Sequence, residues 1–229
     1  YRDLRPTDWD GDGRHEYFAG LRGSGLVCID GSGRTLWTLR VPFDVVPAWG
    51  QFDVDGDGLG EVVACVDGSM IALVRGPRRL WTRTAAGSLL AAPVVLDTDG
   101  DGRPEVVQLG PWGEDRSLAC LEGATGTIRW ARTEVLPPNR GPGVGDIDRD
   151  GRPDLVQAGL RTVKADPILA VFRASDGHPL RLWPQEGTKV YSAPAVVDLD
   201  LDGVPDPVIQ RWDKQDVLAV RGSDGKPLW

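Results

Sequence analysis

The chain has 229 residues, 41% hydrophobic and 26% charged, with a formal net charge of -8. That size allows a substantial buried core in one or two domains, and that charge excludes a generally basic nucleic-acid binder. No stretch approaches the roughly 18 consecutive apolar residues of a membrane-spanning helix, so no membrane insertion is expected, and the N-terminus lacks a basic-then-apolar signal peptide.

Taken from the N-terminus, the first distinctive segment is DWDGDGRHE, beginning at Asp8. It returns as DVDGDGLGE at Asp53, DTDGDGRPE at Asp97, DIDRDGRPD at Asp146 and DLDLDGVPD at Asp198. A motif recurring every ~45–50 residues signals one supersecondary unit repeated in tandem. The units run over about residues 1–46, 47–91, 92–139, 140–191 and 192–229, and together form a single domain. Because the chain opens inside a unit, it is expected to be a mature form or a piece of a longer protein.

Within each unit the elements follow one order: a short apolar run, the acidic loop, a second run, a variable loop, a third run, a Gly-containing turn, and a run holding Trp. In the third unit these are APVVLD, then EVVQL, SLACLE, GATG and TIRWAR. Runs of four to seven residues rich in Val, Ile, Leu and Trp read as strands. The turns between third and fourth strands are GSG (31–33), RGP (75–77), GATG (123–126), SDG (175–177) and SDG (223–225). Gly there supplies the positive φ of a tight hairpin. Trp37, Trp81, Trp130, Trp183 and Trp229 occupy the fourth strand of successive units and read as packing anchors between them. Four antiparallel strands per unit predict an all-β, five-bladed β-propeller of four-stranded blades, closed into a ring.

The acidic loops have the chemistry of a hard-cation site. Calcium takes six to eight oxygens, and alternate residues of a curled loop can aim side chains at one centre. Positions 1, 3 and 5 offer carboxylates, Gly at position 6 permits the turn, position 7 offers its carbonyl, and position 9 closes the shell. The predicted ligands are Asp8, Asp10, Asp12, Arg14 and Glu16; Asp53, Asp55, Asp57, Leu59 and Glu61; and Asp97, Asp99, Asp101, Arg103 and Glu105. The fourth loop offers Asp146, Asp148, Asp150, Arg152 and Asp154, and the fifth Asp198, Asp200, Asp202, Val204 and Asp206. An EF-hand would place Glu at position 12 and continue into a helix, whereas Ala19, Ala64, Gln108, Gln157 and Ile209 stand there and strands follow. Asp-Gly clusters also form turns without any metal, but four carboxylates in nine residues repel one another unless a cation is present. About five calcium ions are expected. Outside the loops Lys and Arg outnumber Asp and Glu, so the acidity is local.

Other candidates carry less chemistry. Cys28, Cys65 and Cys120 lie in predicted strands and read as small buried hydrophobes. His15 and His178 sit in a metal loop and a repeated turn, and neither belongs to a nucleophile motif, so no catalytic residue is assigned. Trp112 and Trp212 fall outside the one-per-unit pattern, beside charged residues in second-to-third-strand loops. They are candidate ligand platforms, with loop packing as the competing role. Trp9 falls at the outward position 2 of its loop, and Trp49 reads as core.

The DxDxDGxx[DE] loops followed by an apolar strand resemble the FG-GAP and VCBS repeats of integrin α-subunit propellers and many bacterial surface proteins. Segments such as LACLEGATGTIRW are more weakly similar to quinoprotein-type propeller repeats. The resemblance implies a non-catalytic, calcium-stabilised binding or scaffold module, extracellular, periplasmic or at the cell surface, that recognises a protein or a glycan. The alternative it leaves open is the propeller portion of a carbohydrate-active enzyme such as a polysaccharide lyase. Open blade edges would allow a homo-oligomer.

Overall fold

The computed structural model describes residues 2–8, 10, 12–21, 25–40, 45–47, 52–54, 60–66, 70–87, 89, 91–112, 117–133, 141–160, 167–184, 193–211 and 214–229. The described residues form strands and turns without a helix, in five antiparallel sheets. The first sheet holds β1 (Arg2–Thr7), β2 (Glu16–Leu21), β3 (Gly25–Ile29) and β4 (Thr35–Arg40). The second holds β5 (Val45–Pro47), β6 (Val62–Val66), β7 (Met70–Arg75) and β8 (Arg78–Thr84). The third holds β9 (Val94–Leu96), β10 (Glu105–Gly110), β11 (Ser117–Leu121) and β12 (Ile128–Arg132). The fourth holds β13 (Gly143–Gly145), β14 (Asp154–Leu160), β15 (Pro167–Arg173) and β16 (Pro179–Pro184).

The fifth sheet departs from the four-strand expectation. It has β17 (Ala195–Val197), β18 (Asp206–Arg211) and β19 (Asp216–Ala219), and its fourth segment is reduced to a Val220–Pro227 bridge. Pro227 has no N–H to give a ladder, and the pairing is carried by the bonds of Ala219 N to Trp229 O, Leu228 N to Ala219 O and Arg221 N to Lys226 O.

In each sheet neighbours in sequence pair as neighbours in space, the meander that short loops produce. Alternation along each strand sends side chains to both faces of a sheet, so every inner sheet is buried on both sides. Phe18, Leu26 and Cys28 pack with Val62 and Val74 between sheets one and two. Val54 and Val63 pack with Val106 and Leu121 between two and three. Leu118 and Cys120 pack with Leu155 and Phe172 between three and four, and Val156 and Leu169 with Ile209 and Leu218 between four and five. Among the described residues no such cluster joins sheet five to sheet one. The three cysteines are free and buried, and burial pushes each thiol up to about 12.

The fourth-strand tryptophans act across these junctions. Trp81 Nε1 donates to Gly123 O at 2.8 Å, and Trp130 Nε1 to Ala174 O at 3.0 Å, each the first residue of the next sheet's hairpin turn. The rings lie on the positive-φ glycine of the same turn. A Cβ at Gly126 would fall 2.6 Å from the Trp81 ring, and one at Gly177 2.6 Å from Trp130. Trp183 covers Gly225 in the same way. Trp37 packs against the cluster between sheets one and two and meets Phe18 tilted, with ring centroids 5.5 Å apart.

Candidate metal centre

Each acidic loop lies between the first strand of its sheet and the second, and in the first, third, fourth and fifth the backbone is curled by the loop's own carboxylates. The position-6 glycine N–H donates to the first aspartate in four loops: Gly13 to Asp8 at 3.0 Å, Gly102 to Asp97 at 2.8 Å, Gly151 to Asp146 at 2.9 Å and Gly203 to Asp198 at 2.9 Å. The position-7 N–H donates to position 5 at 2.8 Å in all four, from Arg14, Arg103, Arg152 and Val204 to Asp12, Asp101, Asp150 and Asp202. The turn holds position 6 at φ between 83° and 86°, open to Gly at no steric cost. Position 4 is also left-handed, at Gly100 (φ 80°), Arg149 (64°) and Leu201 (60°). For the last two that geometry costs about 1–2 kcal/mol.

Position 9 is the buried end of the site. Glu16, Glu61, Glu105, Asp154 and Asp206 are all buried. One carboxylate oxygen accepts from the position-2 N–H: Val54 to Glu61 at 3.0 Å, Thr98 to Glu105 at 2.9 Å, Ile147 to Asp154 at 2.9 Å and Leu199 to Asp206 at 2.8 Å. Position 9 thereby folds the loop back over the sheet and presents its charge to positions 1 and 3.

The carboxylates converge. Oxygens of Asp8, Asp10 and Glu16 lie within 4.8 Å of one another, as do those of Asp146, Asp148 and Asp154, of Asp198, Asp200 and Asp206, and of Asp97, Asp99 and Asp101. Three loops thus bring positions 1, 3 and 9 together and the third brings 1, 3 and 5. Asp55, Asp57 and Leu59 lie outside the described residues, which in the second loop include only Asp53 and Glu61 of the predicted ligands. Two observations fit this set to a hard cation. The donors are all oxygen, and the Oδ1 atoms of Asp8 and Asp198 are buried with no hydrogen-bond partner among the described residues, a costly state unless a charge sits opposite them.

Arginines, which the sequence reading missed, divide the loops. Arg129 meets Asp99 at 2.5 Å and Glu105 at 2.9 Å, and Thr98 Oγ1 adds a 2.5 Å bond to Glu105. Arg75 meets Glu61 at 2.6 Å, and Arg221 meets Asp200 at 2.9 Å. In the fourth loop Arg173 lies opposite Asp154 in the ladder but pairs with Asp176 at 3.2 Å. Burial, with Asp148 and Asp150 adding repulsion, pushes the Asp154 carboxyl up to about 6. Burial also raises Glu105, against the pull of Thr98 and Arg129. A signal was available for two of them, since Arg75 and Arg221 stand at the end of the third run of their units, whereas Arg129 lies on β12.

The remaining candidates are placed as follows. Trp112 is half-buried, donates from Nε1 to Gln108 O at 3.1 Å and packs against the cluster between sheets two and three. Trp212, Trp9 and Trp49 lie outside the described residues. His15 and His178 are exposed.

Comparison with known proteins agrees with the repeat and the fold. The FG-GAP-like repeat model matches residues 97–157, which include the third and fourth acidic loops. BamB from Moraxella catarrhalis superposes with a TM-score of 0.64 at 18% identity, over 96% of this chain and 61% of BamB. The chain has a β-propeller fold. The V. cholerae biofilm matrix protein Bap1 superposes at 0.67 and 17% identity over 99% of this chain and 38% of Bap1. A rhamnogalacturonan lyase of Bacillus licheniformis superposes at 0.55 and 18% identity, over 95% of this chain and 50% of the lyase. The propeller chain therefore spans between about a third and two thirds of these structures. No curated protein matches it in sequence.

Proposed function

We propose that this chain is a non-catalytic binding or scaffold module, five propeller blades held by about five calcium ions and working outside the cytosol on a protein or glycan ligand. The observation that carries the reading is the convergence of three carboxylates in each of four loops, with buried unpartnered oxygens on Asp8 and Asp198. When bound, the cation supplies charge neutralisation and no reaction. The chain's own part is structural: position 9 anchors the loop to the sheet, position 1 ties the turn through the position-6 N–H, and positions 1 and 3 close on the ion. Metal binding then becomes folding free energy, and millimolar extracellular calcium suits sites of this kind. The likeness to a biofilm matrix protein supports the location. Recognition is assigned to the second-to-third-strand loops that carry Trp112 and Trp212.

The test is a thermal scan with and without a chelator, followed by return of calcium or magnesium. A fall in the midpoint of more than about 10 °C, restored by calcium, is expected if several sites each contribute about 2–3 kcal/mol. An unchanged midpoint after the ions are shown to be gone overturns the reading. One second reading has its own support: superposition on half of a rhamnogalacturonan lyase favours the propeller portion of such an enzyme. Incubation with rhamnogalacturonan separates the two, since a lyase leaves unsaturated sugar ends and a binding module leaves the polymer intact.

A further inference from the structure

One side chain joins two neighbouring acidic loops. Arg149, at position 4 of the fourth loop, extends over the fifth. Its Nε donates to Gly203 O at 3.3 Å, its Nη2 donates to Asp202 O, and Nη2 lies 3.9 Å from the Asp202 carboxylate. The guanidinium sits on the glycine, since a Cβ at Gly203 would fall 2.9 Å from Nη2. Asp202 and Gly203 are positions 5 and 6 of the fifth loop, where its backbone turns.

Arg149 is costly in its own loop. Position 4 is Gly11, Gly56 and Gly100 in the first three loops, and the left-handed backbone that Arg149 holds there (φ 64°) is free to glycine. Gly100 gives the third loop no such arm, and a Cβ at Gly151, the position-6 glycine of the fourth, would meet nothing within 4 Å. What Arg149 gains therefore lies in the fifth loop.

The backbone that carries Arg149 is fixed by the fourth loop's own carboxylates. On one side Asp148 N donates to Asp154 Oδ2 at 3.3 Å, and on the other Asp150 N donates to Asp146 Oδ1 at 3.1 Å. Asp146, Asp148 and Asp154 are the three that converge, so a cation drawn between them stiffens both neighbours of Arg149. At its far end the guanidinium holds the turn whose Gly203 N–H donates to Asp198, position 1 of the fifth loop. Ordering one loop thus orders the next. Repulsion between the guanidinium and a cation in the fifth loop opposes this but is weaker. The Arg149 side chain is 55% exposed, so water screens its charge, and Asp202 lies outside the set of Asp198, Asp200 and Asp206 that converges there.

We infer that Arg149 is a positioning residue that couples the fourth and fifth metal sites, so that a cation in either raises the affinity of the other. The inference rests on the calcium reading and adds to it: two of the repeated sites act as a cooperative pair. Coupling of this kind is reciprocal, and about fivefold in affinity is the low end of its usual range, as suits a half-exposed arm.

Hydrogen exchange of the full chain across a calcium titration tests it, with residues 199–204 reporting the fifth site and 147–152 the fourth. Asp146→Ala should raise the calcium midpoint of the fifth loop about fivefold, and Asp198→Ala should raise that of the fourth by the same factor. In an Arg149→Gly background both shifts should vanish. Glycine accepts the left-handed backbone, so this variant keeps the fold, and a purely structural role for Arg149 would leave both shifts in place. Calcium that protects neither loop of the unaltered chain overturns the calcium reading and this inference together. Calcium that protects both loops, with a fifth-loop midpoint that Asp146→Ala leaves unmoved or lowers, overturns the inference alone. So does a shift that persists in Arg149→Gly.

Discussion

The third and fourth acidic loops share a spacing and a turn, yet they meet their charge in different ways. In the third, Glu105 is held by Thr98 and Arg129, and Arg129 also reaches Asp99. Backbone N–H groups from Gly102 and Gly100 hold Asp97 below the usual carboxylate range even against burial. In the fourth, no ion pair to Asp146, Asp148 or Asp154 is found among the described residues, and the Asp154 carboxyl stands near 6. The difference teaches that one sequence motif can be neutralised from within the protein or left to an outside cation. The fourth loop should depend on calcium more than the third.

The largest expected effect is in local stability without metal. Hydrogen exchange in chelator should open the amides of residues 147–152 at least about tenfold more than those of 98–103, a difference of roughly 1.4 kcal/mol. Equal exposure would break the comparison. Next comes the arginine itself. Arg129→Gln should cost about 1 kcal/mol in chelator, because it strands buried Glu105, and calcium should recover most of that loss. Urea unfolding in both conditions measures it, and a loss that calcium leaves untouched would mean Arg129 packs rather than neutralises.

A smaller effect follows from Asp154. Its folded value, about 6, lies above the ordinary 3.8, so the folded state binds the extra proton. The stabilisation is complete below 3.8 and is lost as pH rises through 6. The calcium-free protein should therefore gain stability from pH 7 to pH 5, and Asp154→Asn should flatten that slope in a series of thermal midpoints. The smallest effect concerns backbone strain in the fifth loop. Leu201, 85% exposed at φ 60°, should be replaceable by Gly with a gain of about 1 kcal/mol or less, read from chemical unfolding.

Much of this was legible in the sequence because the repeat multiplies every signal by five. The strands, the turn glycines and the acid spacing are local patterns, and local pairing reproduces them. What escaped is cross-strand and cross-sheet. Arg129 is eight residues beyond the end of its partner's ladder and reaches back over Glu122, a route no spacing rule describes. The position-9 acids were read as ligands alone, whereas the structure makes them backbone anchors too, since their burial requires a donor for each oxygen.

The central claim is that the loops hold calcium, and metal stoichiometry tests it most directly. The chain should be dialysed against millimolar calcium, freed of unbound ion and measured by elemental analysis alongside protein concentration. About five calcium ions per chain are expected, one per loop, falling by one in Asp146→Ala. A chain that retains no calcium would contradict the account.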